Sequence, residues 1–560
     1  MNACKRIAAA MLSVVLSLSL LAGCAKTTAD GRMVLAVSVG SRVTTLDPIY
    51  AEDLESQNIL VHLYENLLRV VPDGKGGAAV TNGMAKSVDI EENVDGTVTY
   101  TFQLRHAKWS DGKEVRAQDF VYAWQRLVNP VSHAPYATLL SVVVGYQEAR
   151  NSGDMSLLQV QAKNDTTLEV TLNGNYDWFL KEVCTSPATM PLREDVVLSL
   201  KEAGIEAGGK SGAALPWWAD PTALVTNGPY RAAGYEAESS LQLSANELYY
   251  DETSGPGAIS FLFADSGEDA WALYEEKLVD AVWPLPEEEL SERAEDETWT
   301  PVPELSTYSV LYHNDKGVFA DPLIRKAFDM AINRNALMDV ADVTAVVAEG
   351  LVPPGVPEYA EGEDFRTAGG ALFENDPEDY EETCRQARQL LSDAGYDIGS
   401  ALGQLEYLYV DEGHNAAVAE ALCTQWEEVL HVQVTARGVT TQELWLALRS
   451  GEYTFAGVNL EAPGNDAECF LMQWISDAPN NVVHYSNSAY DTLMTIIANA
   501  ADGTARMGCL HDAEELLLDD CILSPLYTKG TDWELRENLV GAVRDARGWF
   551  SFSHVTKRSA

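Results

Sequence analysis

The segment spanning residues 97–130 constrains the fold of this chain more than any other stretch of the sequence. It reads TVTYTFQLRHAKWSDGKEVRAQDFVYAWQRLVNP. Apolar and polar residues alternate over Val98–Leu104, a period of two that is typical of a half-buried strand. After a turn at 109–112, apolar residues recur at helical spacing over 120–128, until Pro130 ends the pattern. The segment therefore predicts a strand, a turn and an amphipathic helix in direct succession.

The first 24 residues carry the pattern of a secretory signal. Lys5 and Arg6 precede an uncharged run over residues 7–20, which is shorter than the roughly 20 apolar residues of a membrane span. The run leads into Leu-Ala-Gly-Cys, which resembles the bacterial lipobox and implies that Cys24 carries a diacylglycerol anchor. Because two acyl chains hold a protein stably at a bilayer, we expect residues 1–23 to be removed. The chain is then lipid-anchored at the cell membrane and faces the extracytoplasmic side.

The charge balance restricts the partners of the chain. With 85 acidic and 38 basic residues the formal net charge is −47, so nucleic-acid phosphates and anionic headgroups repel the surface. We therefore expect no nucleic-acid partner, and membrane attachment only through the lipid. Removal of the signal leaves 560 − 23 = 537 residues, which is enough for two or three domains with cores of their own.

The sequence offers no recognisable catalytic or metal-binding motif. The cysteines beyond Cys24 lack CxxC spacing and the nine histidines form no ligand-spaced group, so we expect no metal and no cofactor. Neither GxSxG nor HExxH occurs, which favours a binding protein over an enzyme. An extracellular hydrolase or peptidase is the alternative from a different class. Disulfide pairing is left open among Cys184, Cys384, Cys423, Cys469, Cys509 and Cys521.

Two further segments are predicted to be loops. Residues 204–211, GIEAGGKS, match the phosphate-loop pattern letter for letter, but that pattern binds nucleotide only between a buried strand and a helix. Here a helical pattern precedes it over 196–203, so we interpret 204–211 as a flexible loop that binds no nucleotide. The acidic, glycine-containing segment 358–380 is predicted to be a solvent-exposed excursion.

Several phrases together resemble one known family. The order TFQLR, KWSDG, DFVYAWQR and Pro within 97–130 is joined by TLDP at 45–48, by TNGPY at 226–230 and by NNVVHYS at 480–486. These phrases resemble the oligopeptide-binding proteins, the extracellular solute-binding proteins that feed peptide ABC transporters. The resemblance runs from about residue 33 to residue 552, which is nearly the whole mature chain.

The resemblance implies an α/β fold of the two-lobed periplasmic-binding-protein type, in its type II, large three-domain subclass, with a ligand cleft between the lobes. Domain I is expected to combine residues 24–66, 190–304 and 529–560. Domain II, an extra domain of the first lobe, is expected at 67–189. Domain III, the second lobe, is expected at 305–528.

The implied function is that of a membrane-anchored, extracytoplasmic binding protein. It captures oligopeptides and delivers them to the permease and ATPase subunits of an ABC transporter, and we expect it to act as a monomer. Relatives of this family also bind nickel, haem or sugars, or act as receptors for peptide signals, and these remain alternatives.

The resemblance also implies ligand-facing positions. In family members, the loop after Pro48 presents an acidic group and backbone atoms to the ligand. The ligand pocket is lined by the Tyr of an x-P-Y-A segment, by an aromatic residue after a returning strand and by a His before a helix. On this chain, the implied ligand-binding residues are Glu52, Asp53, Leu54, Tyr136, Trp283, His414, Asn459, Leu460, Glu461 and Asn481.

The chain departs from the family at one important position. Peptide binders place an Asp after the strand that precedes 470, where it accepts the α-ammonium of the peptide, and a Trp shortly before it. Read without gaps, Pro463 stands at the Asp position and Leu460 at the Trp position. Glu461 or Asp466 can supply the carboxylate from a shifted loop, or the ammonium site is absent.

Overall fold

The computed structural model describes residues 27–558 with short gaps. The gaps are 74–76, 177, 209–214, 252–254, 295, 297–298, 300, 361–362, 374–378, 397–401, 463, 477, 479–480 and 501–502. The predicted signal at 1–23, the lipidation of Cys24 and the departure at Pro463 therefore lie outside the described residues, as does part of the phosphate-loop match at 204–211.

The described strands follow in chain order. They are β1 (Val34–Val39), β2 (Leu68–Pro72), β3 (Ala78–Asn82), β4 (Ala85–Glu92), β5 (Val98–Leu104), β6 (Val160–Asn164), β7 (Thr167–Leu172), β8 (Tyr230–Glu236), β9 (Ser240–Ala245), β10 (Ala258–Phe263), β11 (Ala281–Trp283), β12 (Val302–Pro303), β13 (Ser306–Tyr312), β14 (Val346–Val347), β15 (Gln404–Val410), β16 (Gln433–Val439), β17 (Phe455–Glu461), β18 (Leu523–Thr528), β19 (Gly530–Thr531), β20 (Glu534–Leu535), β21 (Leu539–Val540), β22 (Val543–Arg544), β23 (Phe550–Ser551) and β24 (Thr556–Lys557).

The described α-helices are interspersed among these strands. They are α1 (Leu54–Leu63), α2 (Ala117–Val128), α3 (Tyr146–Ser152), α4 (Glu194–Gly208), α5 (Gly267–Glu275), α6 (Glu287–Ala294), α7 (Pro322–Met330), α8 (Arg334–Leu337), α9 (Phe365–Gly369), α10 (Tyr380–Asp393), α11 (Asn415–Leu430), α12 (Thr441–Ser450), α13 (Ala467–Leu471), α14 (Ser488–Ala498) and α15 (Gly503–Asp519). Among them, none combines the length and the apolar character that crossing a membrane requires.

The chain divides into two compact units, each built from separated segments. The first unit contains the described residues from 27 to Asn173, Phe179–Pro286 and the described residues from Asp532 onward. The second unit contains Gly174–Trp178 and Glu287–Thr531. The finer division into three domains stays a prediction.

The first unit contains a six-stranded mixed sheet in the order β20-β11-β1-β10-β9-β8. Its centre is β1, which pairs in parallel with both β10 and β11. Leu35, Val37 and Val39 of β1 are buried, as expected for a central strand that is covered on its faces.

The segment at 97–130 folds as its pattern predicts. Strand β5 lies inside a four-stranded antiparallel sheet, β4-β5-β7-β6, and buries Tyr100, Phe102 and Leu104 while the residues between them are half-buried. Helix α2 turns Phe120 and Trp124 into the core, and the Trp124 indole donates a hydrogen bond to the Thr189 carbonyl at 2.9 Å. Alternation and helical spacing were sufficient here because each element buries one face only.

Helix α1 buries several polar side chains. Asn58 and His62 are buried, and both bind the backbone of the C-terminal segment. The Phe550 amide donates to Asn58 Oδ1 at 2.6 Å, and the Phe552 amide donates to His62 Nε2 at 3.0 Å. These side chains therefore tie the last strands of the chain to its first helix.

The TNGPY phrase anchors the end of the same helix. Asn227 exchanges two hydrogen bonds with the backbone of Glu65, at 3.0 Å and 2.9 Å. A Cβ at Gly228 would lie 2.6 Å from the Leu63 carbonyl carbon, so only glycine fits at this close approach of two backbones.

The second unit contains another six-stranded sheet, in the order β14-β18-β13-β17-β15-β16. Strand β13 pairs antiparallel with β17 and β18, whereas β15 pairs in parallel with β16 and β17. The core beside it is aromatic, and its large buried rings include those of Tyr312, Phe319, Phe328, Tyr407, Trp426 and Phe455.

The exposed excursion predicted for 358–380 is wrong for the part of α9 that carries Phe365 and Arg366. The Phe365 side chain is buried, and the Arg366 guanidinium forms a buried ion pair with Glu514 of α15, with nitrogen–oxygen distances of 2.9 Å and 3.0 Å. Local composition misled the prediction because the charge partner lies 148 residues away.

The open question of disulfide pairing has a plain outcome. All six cysteines beyond Cys24 are free thiols, and five of them are buried, the exception being the half-buried Cys509.

Candidate functional site

The TLDP loop of the first unit is held by helix α2. The Asp47 carboxylate is buried and forms a bidentate ion pair with Arg126 of α2, with an Nη1–Oδ1 distance of 2.6 Å. The Trp217 indole donates to Asp47 Oδ2 at 2.7 Å. Two segments distant in sequence therefore fix the loop from which α1 begins.

The implied ligand-facing residues at 52–54 lie at the start of α1. The Asp53 carboxylate caps the helix, since it accepts a hydrogen bond from the Ser56 amide at 2.7 Å and another from the Thr44 hydroxyl. Leu54 is the first helical residue and is half-buried, and Glu52 is exposed. The cap occupies the Asp53 carboxylate, so Glu52 is the acidic group that this loop presents to solvent.

Tyr136 lies against the same helix. Its hydroxyl accepts a hydrogen bond from Gln57 Nε2 at 3.3 Å, and Gln57 Oε1 accepts one from the Trp549 indole at 2.6 Å. The structure thus places Tyr136 against α1, whose first residues are implied ligand positions. Gln57 links it to the C-terminal segment. The Tyr136 ring is half-buried, which leaves part of it accessible.

Trp283 occupies a core position at the end of β11. Its side chain is 5% exposed and its ring stacks on Phe550, with ring centroids 4.6 Å apart. Within the part of the chain that the structure describes, the buried Trp283 Nε1 has no hydrogen-bond partner. Its ligand-facing role stays a prediction, and the indole N–H is the atom through which it would act.

In the second unit, Asn459, Leu460 and Glu461 form the end of β17. The Asn459 amide donates to Glu461 Oε1 at 3.2 Å, and these two residues point to the same, more exposed side of the sheet, whereas Leu460 is buried. The strand period therefore separates the three predicted positions onto two faces.

Asp466, one of the two candidates for the missing carboxylate, is already paired. It caps α13 through a 2.9 Å hydrogen bond from the Glu468 amide, and its Oδ1 lies 2.7 Å from Arg506 Nη2. Arg506 also binds Glu468 Oε2 at 2.7 Å, and the Trp178 indole donates to the same oxygen at 3.1 Å. All four side chains are buried.

Sequence reasoning missed this buried network, because its members are separated by up to about 330 residues and match no motif. Burial raises the pKa of Glu468 to about 7, and the Arg506 guanidinium acts against that rise. The four side chains therefore form a buried structural network, in which Arg506 already neutralises Asp466, and Asp466 is unavailable to a ligand cation.

His414 and Asn481 lie elsewhere in the second unit. His414 precedes α11, is half-buried, and its Nε2 lies 3.4 Å from Glu287 Oε2. Asn481 closes a loop, since its amide donates to the Tyr485 carbonyl at 2.7 Å and accepts from the Tyr485 amide at 3.0 Å. The hydrogen-bond partners named here for these two side chains lie outside β17.

A model of the bacterial extracellular solute-binding proteins, family 5 (middle region), matches residues 79–482. The periplasmic oligopeptide-binding protein OppA of Salmonella typhimurium is 28% identical and covers 91% of this chain, which in turn covers 91% of it. The dipeptide-binding protein DppE of Bacillus subtilis is 26% identical, with coverage of 95% and 93%. A probable deoxycholate-binding periplasmic protein of Escherichia coli, YgiS, is 27% identical, with coverage of 86% and 85%.

Solved structures show the same likeness. The crystal structure of Haemophilus influenzae OppA in complex with the peptide RPPGFSPFR superimposes with a TM-score of 0.73 at 25% identity, covering 94% of this chain and 98% of that one. The murein tripeptide binding protein MppA of Escherichia coli gives a TM-score of 0.73 at 23% identity, with the same coverage.

Proposed function

The chain belongs to the family 5 bacterial extracellular solute-binding proteins, and on that basis we propose that it captures oligopeptides outside the cytoplasm and delivers them to the permease and ATPase subunits of an ABC transporter. Membership confirms the resemblance on which the sequence prediction rested. The likeness to OppA in structure confirms the predicted α/β fold class.

The observation that carries the proposal is the large share of the chain that matches peptide-binding proteins. Relatives named for oligopeptides and dipeptides match more than nine-tenths of the chain. Two residues within the family-like segments also have defined structural roles, since Arg126 of α2 fixes the Asp47 loop and Tyr136 packs against α1. A binding protein needs a largely pre-formed site with a few fixed polar groups.

We propose that Glu461 supplies the carboxylate for the peptide ammonium. Recruitment of Asp466 would break a buried ion pair with Arg506, which costs about 3–5 kcal/mol. Glu461 lies at the exposed end of β17, and its use does not break that ion pair. The hydrogen bond from Asn459 orients its carboxylate.

The proposed setting is the extracytoplasmic face of the cell membrane. Cys24, at the end of the lipobox match, would carry the lipid that holds the protein there. With a net charge of −47 the surface has no attraction of its own for anionic lipids.

The proposed function is tested by what the protein carries and what it leaves intact. The protein is purified under native conditions, and acid is added to release any bound ligand. The released molecules are identified by mass spectrometry. We expect peptides of mixed sequence, and we expect ligand-free protein to gain thermal stability when peptides are restored. The same peptides should be recovered uncut after prolonged incubation.

Other outcomes identify the alternatives. Reproducible cleavage that tracks with the pure protein would identify a hydrolase or peptidase and overturn the proposal. A bile acid or other steroid is the second ligand class to look for, because the probable deoxycholate-binding relative matches the chain as well as the peptide binders do. Recovery of nickel, haem or a sugar, or of one defined signalling peptide, would point to the remaining branches of the family.

A further inference from the structure

Two histidines and an aspartate of the second unit meet although the sequence keeps them far apart. His313 and Asp315 follow the end of β13, and His484 lies in the loop before α14. One possible ligand atom from each of the three side chains lies within 4.8 Å of the other two. The expectation of no metal site rested on sequence spacing, which does not register a group assembled from positions 171 residues apart.

The backbone of the second unit holds this group in place. The His313 amide donates to the Thr454 carbonyl at 3.2 Å, and the Asn314 amide donates to the Val483 carbonyl at 3.1 Å. The second bond joins the residue between His313 and Asp315 directly to the neighbour of His484. The three side chains are therefore placed by paired backbone segments rather than by chance proximity on a surface.

The His313 ring has one satisfied nitrogen and one that is not. The ring is buried and hydrogen-bonds the Gly451 backbone, and Nε2 is the nitrogen on that side. Its Nδ1 lies 2.9 Å from Asp315 Oδ1, yet it makes no hydrogen bond of acceptable geometry with any described residue. With its proton on Nε2, the neutral ring leaves an Nδ1 lone pair beside a carboxylate oxygen but not aligned with it.

Two acceptors at that distance repel each other unless a positive charge joins them. A cation bound by both Nδ1 and the carboxylate relieves that repulsion.

We propose that His313, Asp315 and His484 together bind one divalent transition-metal ion, with Zn²⁺ as the representative ion. Two imidazoles and one carboxylate are the donor set that zinc uses where it keeps a position open to solvent. Asp315 and His484 are exposed while His313 is buried, so the open position would face water.

The distances fit this coordination after a small adjustment. Zinc lies about 2.0–2.2 Å from nitrogen and oxygen ligands, which places two ligands of one ion about 3.0–3.5 Å apart. The 2.9 Å between His313 Nδ1 and Asp315 Oδ1 is already close to that separation. His484 stands further away, with its ring centroid 5.1 Å from that of His313, but its exposed side chain is free to turn inward.

One neighbour of the site favours binding of a cation and another opposes it. The Gly451 carbonyl that accepts the His313 proton orients the ring, which is the usual outer partner of a metal-bound imidazole. Lys316 donates to the same carbonyl at 3.1 Å, and its charge opposes a cation nearby. We therefore expect dissociation constants in the micromolar range rather than the tighter values of closed structural zinc sites.

The test is titration of the EDTA-treated, detergent-solubilised full-length protein without a polyhistidine tag. ZnCl₂ is added in a calorimeter in the presence of excess Mg²⁺, because the acidic surface binds divalent ions weakly and without specificity. CoCl₂ is added in a parallel experiment, in which the visible spectrum reports nitrogen and oxygen ligands around the ion.

The variants are chosen so that the fold survives. Asp315→Asn keeps the shape of the side chain, and His484→Asn suits the left-handed backbone at that position, where φ is 59°. His431→Asn is the matched control, because His431 is also exposed and left-handed, with φ of 55°. The melting temperature of each variant in EDTA must match that of the wild type.

One zinc ion per chain is expected, with an affinity that falls at least about tenfold in Asp315→Asn and in His484→Asn and is unchanged in His431→Asn. Failure to saturate with one ion, or equal affinity in all three variants, would overturn the metal site. The outcome is independent of whether the protein binds peptides.

Discussion

Replacement of His62 by glutamine is predicted to change how the stability of the first unit depends on pH. His62 lies on the buried face of α1, where its Nδ1–H donates to the Asn58 carbonyl at 2.6 Å and its Nε2 accepts from the Phe552 amide at 3.0 Å. The ring also stacks on Phe552, with centroids 5.6 Å apart. Both ring nitrogens are thus hydrogen-bonded when the ring is neutral. A second proton, on Nε2, would remove the acceptor that holds the C-terminal segment.

The size of the effect follows from the pKa of this one group. Burial lowers the pKa of His62 to about 4, whereas an imidazole in the unfolded chain has a pKa of about 6.5. Above about pH 6.5 both states are neutral and the contribution to stability is complete. As the pH falls from about 6.5 towards 4, only the unfolded state gains a proton, so the unfolding free energy loses about 1.4 kcal/mol per unit and about 3 kcal/mol in total.

The measurement compares urea unfolding of the wild type and His62→Gln at half-unit steps from pH 7.5 to pH 4.5. Glutamine does not titrate, and its loss of ring contacts and one hydrogen bond is expected to cost about 1–3 kcal/mol at pH 7.5. That difference should shrink by about 2–3 kcal/mol by pH 4.5. Other titrating groups, including Glu468, whose pKa is raised to about 7 by burial, contribute equally to both proteins and cancel in the difference.

Hydrogen exchange of residues 549–558 supplies a local readout, because the Phe552 amide is one of the bonds at stake. The exposed His106 is the control, and His106→Gln should unfold in parallel with the wild type at every pH. If the curves of His62→Gln and the wild type also run parallel, the ring is not held neutral by the fold and the reasoning fails.

Three further predictions follow from the proposed function and the fold. In calorimetry, N-acetylation of a tight-binding peptide should weaken its binding to the wild type about a hundredfold, or roughly 3 kcal/mol, but should change its binding to Glu461→Gln little. Glu406→Gln on the same sheet is the control. An unchanged acetylation effect in Glu461→Gln would show that Glu461 does not bind the ammonium. Cys24→Ser should move the protein from the detergent phase to the aqueous phase in phase partitioning, and equal membrane retention would refute the lipid anchor. Gly228→Ala should lower the unfolding free energy by at least about 2 kcal/mol, because its Cβ would meet backbone atoms at 2.6 Å, whereas Gly508→Ala, with open space at its Cβ, should be neutral or slightly stabilising in the same denaturation assay.

Local patterns in the sequence determined the elements with one buried face. Strand β5 and helix α2 were predicted from the periods of 97–130, because alternation and helical spacing record which side of an element meets a core. The ordered phrases around these elements were also sufficient to indicate the family and its fold class, which the comparisons confirm.

Only the tertiary structure decided what the polar residues do. The sequence left Glu461 and Asp466 equivalent as carboxylates, and the fold separates them by bringing Arg506 against Asp466. The same holds for Arg366 with Glu514 and for the meeting of His313 with His484. A charged or titratable side chain acquires its role from a partner in space, and the distance along the chain to that partner leaves no periodic trace in the sequence.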